Sequence, residues 1–475
     1  MNNKQVTVKK YICIFEIPEV VHELTRYIDV TNLLNTTKRL KIVKNMFIFK
    51  KINKKINKKY SLEYYNNETF RMKVRGSVEN PCKQISLNLR NSAIRNVIKS
   101  TALINARSIV PDNIDCITDV SELGDVHTLN LRGSSEITNV NALRNVRNLN
   151  LSYCLKITDV GSLGNVHTLK LNNCRSIINV NALGNVHNLD LSYCLKITDV
   201  SALGNVHNLN LNSCHNITDV SALGNVYKLN LSHCHNITDV SLLRNVHTLD
   251  LCFCVGLEDV SALGNVHTLN LSYCEKLVDV SALGNVHTLN LNNCYNITDV
   301  SALGNVHALN LSKCHNIIDI SVLGNVYELD LSYCLNITDK IINGLGNIHT
   351  LNLCCCEKIT DVTALGKVHT LNLGSCGRIK DVSALGNVHT LSLAWCNNIT
   401  DVSALGNVHT LILWGCRNIT DVTALGRVHT LDLSECNNIT DVSALGNVHT
   451  LSFWGCKNII DVSALGNVHI RFKLL

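Results

Sequence analysis

From residue 117 to the end, apolar and polar positions recur every twenty residues in the phrase ITDVSALGNVHTLNLSYCLK and close variants. A fixed short period makes each unit one rung of a stack, because a single rung cannot bury its apolar face alone. Rung starts fall at Val126, Val146, Val166 and on to Val326, then at Ile348, Val368 and on to Val468, giving eighteen rungs with the last truncated. Within a rung the apolar places are Val126, Leu129, Leu131, a cysteine or its substitute at the ninth position, Ile137 and Val140. The core V-H-T-L-N-L alternates with period two. A strand is therefore predicted, with Leu129 and Leu131 turned inward and Thr128 and Asn130 turned out. About ten residues remain for the return path, too few for an ordinary α-helix and two corners, so a single helical or 3-10 turn is predicted there.

This order of positions, L-x-x-L-x-L-x-x-N/C, resembles the leucine-rich repeat. The expected fold class is an α/β solenoid over residues 116–475, with a parallel β-sheet on the concave face, single helical or 3-10 turns on the convex face, and a small α-helical N-terminal domain. In ITDVSALGNV the aspartate column, Asp119, Asp159, Asp199 and successors with Asn139 and Asn179 as exceptions, is placed to cap the turn. Gly124 and its equivalents are read as a left-handed exit from that turn. Capping explains the carboxylates without an acid/base or calcium role, since no partner carboxylate accompanies them.

Cysteine is abundant, 22 in all, and sixteen share one column, Cys154 to Cys334 and Cys356 to Cys456 in steps of twenty. Stacked rungs hold equivalent residues ~4.8 Å apart with parallel Cβ vectors, whereas a disulfide needs Cβ atoms converging to ~3.8 Å. The thiols are expected to be small buried groups, which suits an intracellular, cytoplasmic setting. The N-terminus offers a short apolar run, Tyr11 to Phe15, rather than a signal-peptide core. Sequons such as Asn216-Ile217-Thr218 belong to the repeat. A histidine column, His127, His167, His187, His207, His247 to His307 and His349 to His469, is expected to stack as a ladder. Its neighbours are Thr, Asn and Val, so no converging metal ligands are expected and no cofactor is implied.

The first 115 residues are chemically distinct. They hold 22 Lys and Arg against 9 Asp and Glu, an excess of 13 positive charges, so the remainder carries −7 against the total of +6. Ten of these basic residues lie in Lys38 to Lys59 with no acid among them. That run supports a nucleic-acid reading only weakly, because no aromatic stacking platform interleaves it. Upstream, Ile17-Pro18-Glu19-Val20-Val21, Leu24, Tyr27, Ile28, Asp29-Val30, Leu33-Leu34 and Lys38 have the spacing of short packed helices. This resembles an F-box, over about forty residues. The resemblance departs at Thr37-Lys38-Arg39-Leu40, where the family shows a tryptophan-containing finish. It implies that Ile17, Pro18, Leu24, Ile28, Leu33 and Leu34 dock a Skp1-like adaptor. Cys154-Leu155-Lys156-Ile157-Thr158-Asp159 resembles the cysteine-containing repeat class that follows F-boxes in ubiquitin-ligase substrate receptors. The DVSAL turn is more similar to bacterial internalins, and the whole layout, with SLEYYNNETF between the two parts, resembles repeat proteins of giant amoebal viruses, which would place it in host cytoplasm. The division expected is 1–60 F-box-like, 61–115 linker and degenerate capping repeat, and 116–475 solenoid. In the middle part Cys82 to Val97 carries Leu87, Leu89 and Ile94 in the repeat's spacing, with 98–115 leading into the array.

The copies disagree mainly at outward columns. Position 130 and its equivalents include Lys170, Asp190, Asp250, Ile412 and Asp432; position 132 includes Trp414 and Trp454; position 133 includes Tyr153, Tyr193, Phe253, Tyr273, Tyr333 and Trp395. Those eight aromatics are the candidate contacts for a protein target on the concave face. One rung, ITDKIINGLGNIHT, is two residues longer, with Lys340 to Gly344 on the return side, and Cys354-Cys355-Cys356 follows it. No catalytic constellation stands out, because serines and histidines meet on a rung by duplication. The functions expected are a substrate receptor of a Skp1-cullin-F-box ubiquitin ligase or a plain repeat scaffold, neither an enzyme nor a membrane protein.

Overall fold

The computed structural model describes residues 86–89, 108–111, 118–466 and 468–470. The chain divides into two compact units, residues 1–113 with 125–129, and residues 114–124 with 130–475. In the first, the strand Ser86–Leu89 pairs in parallel with Ser108–Pro111, Leu87 opposite Ile109. Ser108 and Ile109 pair in turn with Thr128 and Leu129. Leu87 and Leu89 thus lie on a strand. Ser108–Pro111 is a second strand, inside the stretch read as a lead-in. Its S-I-V-P lacks the leucine pair that marks the other rungs.

The second unit is a leucine-rich repeat solenoid with its parallel sheet on one face. From Asn148–Asn150 onward each three-residue strand pairs in parallel with its successor, equivalent residues opposite: Thr268 with Thr288, Leu269 with Leu289, Asn270 with Asn290. The longer rung keeps this register, Leu329 facing Leu351. Only the last short strand, His469–Ile470, slips by one, with Thr450 opposite His469. The terminal rung is also the most open: Val462, in an inward column, is 44 % exposed, whereas its equivalent Val442 is 1 % exposed.

The register puts seven columns inside. In one rung Val140, Leu143, Val146, Leu149, Leu151, Cys154 and Ile157 are each 2 % exposed or less. Fully burying each aliphatic side chain contributes ~1.5–3 kcal/mol, so rungs stabilise one another by nearest-neighbour contact. Their backbones are satisfied locally: Leu143 N donates to Val140 O, Val146 N to Leu143 O, Cys154 N to Leu151 O and Ile157 N to Cys154 O. Four of the seven inward residues, Leu143, Val146, Cys154 and Ile157, thus close tight turns onto the inward residue before them, which is how twenty residues make a full circuit.

The return path is a 3-10 turn of three or five residues, as in Ser281–Asn285. Asp279 Oδ1 accepts from Ser281 N at 2.8 Å, and the bonds from the Ser281 backbone and side chain hold this carboxyl below its ordinary range. Asn139 and Asn179 accept in the same way from Asn141 and Asn181. The column thus satisfies the first amide of the turn from one residue before the N-cap, Val280, which makes no side-chain cap bond of its own.

The expected left-handed exit is not. Gly124 has φ −63° and ψ −26°, in the right-handed region, and Gly164 and Gly204 match it. Glycine is favoured here by contact between rungs: a Cβ on Gly124 would stand 2.2 Å from the Ala142 carbonyl oxygen, and on Gly264 2.3 Å from that of Ala282. Arg144 and Arg244 occupy the place in two rungs, so the contact penalises a side chain without forbidding it.

In the longer rung the 3-10 turn becomes the α-helix Asp339–Ile342. Ile342 and Leu345 fill the core, and Asp339 turns to the next rung, accepting from Thr360 N at 2.7 Å, Thr360 Oγ1 at 2.5 Å and Asp361 N at 3.1 Å. Among the described residues no helix is long and apolar enough to cross a membrane.

Candidate binding face

The outward side of each strand is shaped by its asparagine. Asn270 Oδ1 accepts from Ser272 N at 3.1 Å and Asn310 Oδ1 from Ser312 N at 2.9 Å, and Asp190, Asp250 and Asp432 do the same for residues 192, 252 and 434. These side-chain turns bend the chain off the sheet. Position 130 is thus partly a structural column, and Lys170 and Ile412 are rungs that do without the turn.

Three residues beyond that asparagine, the backbone is forced into the left-handed region. In every rung from Gly133 to Gly455 this residue has positive φ, with Tyr153 at 64°, Tyr193 at 60°, Phe253 at 59°, Tyr273 at 60°, Tyr333 at 60° and Trp395 at 63°. The six aromatics of position 133 therefore stand in the turn beyond the strand, which covers only residues such as Thr268–Asn270. Gly133, Gly415 and Gly455 adopt the same conformation freely. An L-residue there costs roughly 1–2 kcal/mol. Tyr153, Tyr193, Tyr333 and Trp395 are nevertheless exposed.

Neighbouring rungs bring several of these rings together. His233 stacks on Phe253 at 4.6 Å between centroids and Phe253 on Tyr273 at 4.1 Å, so those rings are half-buried. Arg132 lies 4.7 Å over the Tyr153 ring and Lys313 5.6 Å over Tyr333. Trp395 and Trp414 come from different columns yet converge, centroids 5.9 Å apart at 49°, with Arg417 5.5 Å over Trp395. Gly415 makes room for this, since a Cβ there would strike the Trp395 ring at 2.7 Å. Trp454 is half-buried two rungs from Trp414.

At the strand entrance the histidine column is a continuous ladder. His167 to His449 stack ring on ring, with Tyr227 and Tyr327 filling the gaps, at centroid spacings of 4.4 to 4.8 Å. Many of the imidazoles share a hydrogen bond with the next threonine, as His349 Nδ1 does with Thr350 Oγ1 at 3.2 Å. Among the described residues no group of three or more His, Cys, Asp or Glu is placed to hold a metal ion. The thiol column is unbridged and, save for Cys456, buried; Cys174 Sγ donates to Leu151 O at 3.1 Å, and burial pushes its thiol up to about 12. Ile17, Pro18, Leu24, Ile28, Leu33 and Leu34 lie outside the described residues.

No family model matches the sequence, and no curated protein matches it. Among solved structures, the chain is similar to an internalin of Listeria monocytogenes, at 18 % identity over 74 % of this chain and 89 % of that one, TM-score 0.33. It is similar to the functional domain of InlJ from the same organism, described as including a cysteine ladder, at 19 % identity over 77 % and 72 % of the two chains, TM-score 0.39. It is also similar to a leucine-rich repeat protein of Leptospira interrogans, at 18 % identity over 83 % and 97 %, TM-score 0.43. The leucine-rich repeat architecture of this chain rests on its own ladder of rungs.

Sequence reasoning missed Arg132, Lys313 and Arg417, which cover the aromatic rings. Their contacts cross from one rung to the next, so the signal was available only by aligning neighbouring copies rather than whole columns.

Proposed function

We propose that the protein is a non-catalytic binding scaffold whose aromatic turn column, with Trp414 of the adjoining column converging on its Trp395, holds a protein partner. One observation carries the reading. Exposed tyrosines and a tryptophan occupy a backbone conformation that penalises them and that glycine adopts freely elsewhere in the same column. A costly, solvent-facing aromatic adds little to folding, whereas clustered aromatics with an arginine beside them are the usual anchors of an interface. The partner-contact set is Tyr153, Tyr193, Phe253, Tyr273, Tyr333, Trp395, Trp414 and Trp454.

The F-box resemblance of residues 1–60 supports a finer assignment, the substrate-recognition subunit of a Skp1-cullin-F-box ubiquitin ligase, with Ile17, Pro18, Leu24, Ile28, Leu33 and Leu34 on the adaptor. A column of unbridged thiols suits a reducing cytoplasm. Co-purification of the full chain from a eukaryotic lysate tests it. Retention of a Skp1-like adaptor, lost with Pro18→Ala and Leu33→Ala, is expected; its absence with target binding intact would leave a plain scaffold.

A further inference from the structure

All but the last of the sixteen column thiols are buried, but two adjacent cysteines outside that column are not. Cys354 and Cys355 follow the strand Thr350–Asn352 in the first rung after the insertion, both half-buried, with their Sγ atoms 3.6 Å apart. The ladder fixes their backbone: Cys354 N donates to Asn352 Oδ1 at 3.1 Å, Cys355 N to Gly374 O at 2.8 Å, and Tyr333 N to Cys354 O at 2.8 Å. Cys355 occupies the left-handed position, φ 61°. In the following rung Gly374 holds the place equivalent to Cys354, and a Cβ there would lie 3.5 Å from Cys354 Sγ. Glycine leaves that side of the sulfur unfilled.

Geometry separates the fates open to such a pair. A disulfide needs sulfurs ~2.05 Å apart on Cα atoms at least ~4.4 Å apart, whereas adjacent Cα atoms across a trans peptide are ~3.8 Å apart. Two thiolates on one tetrahedral centre with ~2.3 Å bonds stand ~3.8 Å apart, near the observed spacing. A structural zinc would require two further ligands, and no group of three is placed to supply them among the described residues.

We propose that Cys354 and Cys355 form a chelating dithiol for a soft, thiophilic centre that needs only two protein sulfurs, the class represented by monosubstituted trivalent arsenicals. In the reaction with R–As(OH)2, two As–O bonds break and two As–S bonds form. The two thiol protons leave with the hydroxyls as two waters, and arsenic stays trivalent.

The test uses the full chain with phenylarsine oxide. One arsenical is expected on the tryptic peptide 341–358, resistant to excess glutathione and removed by 2,3-dimercaptopropanol. Cys354→Ser and Cys355→Ser should each weaken capture at least ~tenfold, because the second bond forms at high effective concentration. Both should fold, since Ser332 and Ser375 hold the corresponding places in other rungs. Cys252→Ser should leave capture unchanged. Capture that survives either serine variant, maps to another peptide or is stripped by glutathione would overturn the proposal, as would formation of a Cys354–Cys355 disulfide in preference to the adduct under air.

Discussion

The imidazole of His247 lies on that of His267, centroids 4.6 Å apart and planes 11° from parallel. Repeated along the array, this stacking makes a second proton on a neighbouring ring unfavourable. Burial first, and then the charges of adjacent rings, hold His267, His389 and His429 below the usual histidine range, and Arg147 joins His187 in doing so for His167. A folded value below the unfolded ~6.5 means that the unfolded chain binds more protons. The stability is present above pH ~6.5 and is lost as pH falls below it. The thermal midpoint should drop between pH 7.5 and 5.0, above the range where the capping aspartates titrate. An unchanged midpoint across that window would remove the ladder from the energetics.

Gly264 and Gly344 separate close approach from conformational freedom. Alanine at 264 would meet the Ala282 carbonyl oxygen at 2.3 Å, while nothing lies within 4 Å of a Cβ at 344. Gly264→Ala should lower stability by ~1–3 kcal/mol through displaced backbone, and Gly344→Ala should be neutral or stabilising. Denaturation midpoints of the two variants check this, and equal values would contradict it.

Asp339 ties the longer rung to its successor through Thr360 and Asp361. Burial raises its pKa, yet those bonds outweigh it and hold the carboxyl below its ordinary value. Asp339→Ala releases two exposed amides to water and should cost ~0.5–1.5 kcal/mol. Amide exchange of Thr360 and Asp361 should accelerate, while exchange two rungs away at Thr400 stays as it was.

Much of the architecture was legible because each feature is written many times. Leu129 and Leu131 announced the inward face and Cys154 its buried thiol column, and the structure places both as expected. What repetition could not convey was distance between rungs. The sequence shows a glycine after every SAL turn, and a left-handed exit is the common reason for one; the actual reason is the carbonyl of the next rung. Position 133 was hidden for the converse reason. Tyr, Phe, Trp, Lys and Glu are poor left-handed residues, and only Gly133, Gly415 and Gly455, with Asn173 and Asn293, hinted at the conformation that all of them share. The aromatics were therefore assigned to the strand face rather than to the turn beyond it. Ser108–Pro111 was missed because a strand without the leucine pair carries no period.

The central claim is that the exposed aromatics of this turn serve a partner and not the fold. Tyr153, Tyr193 and Tyr333 are 39, 49 and 46 % exposed at φ near 60°. Glycine at each site relieves ~1–2 kcal/mol of backbone strain and costs ~0.5–1 kcal/mol in chain entropy. Urea denaturation of the triple variant Tyr153→Gly, Tyr193→Gly, Tyr333→Gly, followed by far-UV circular dichroism, is the direct measurement. The midpoint should stay where it is or rise; a midpoint that falls, with more than ~1 kcal/mol lost per site, would show that these rings hold the solenoid together.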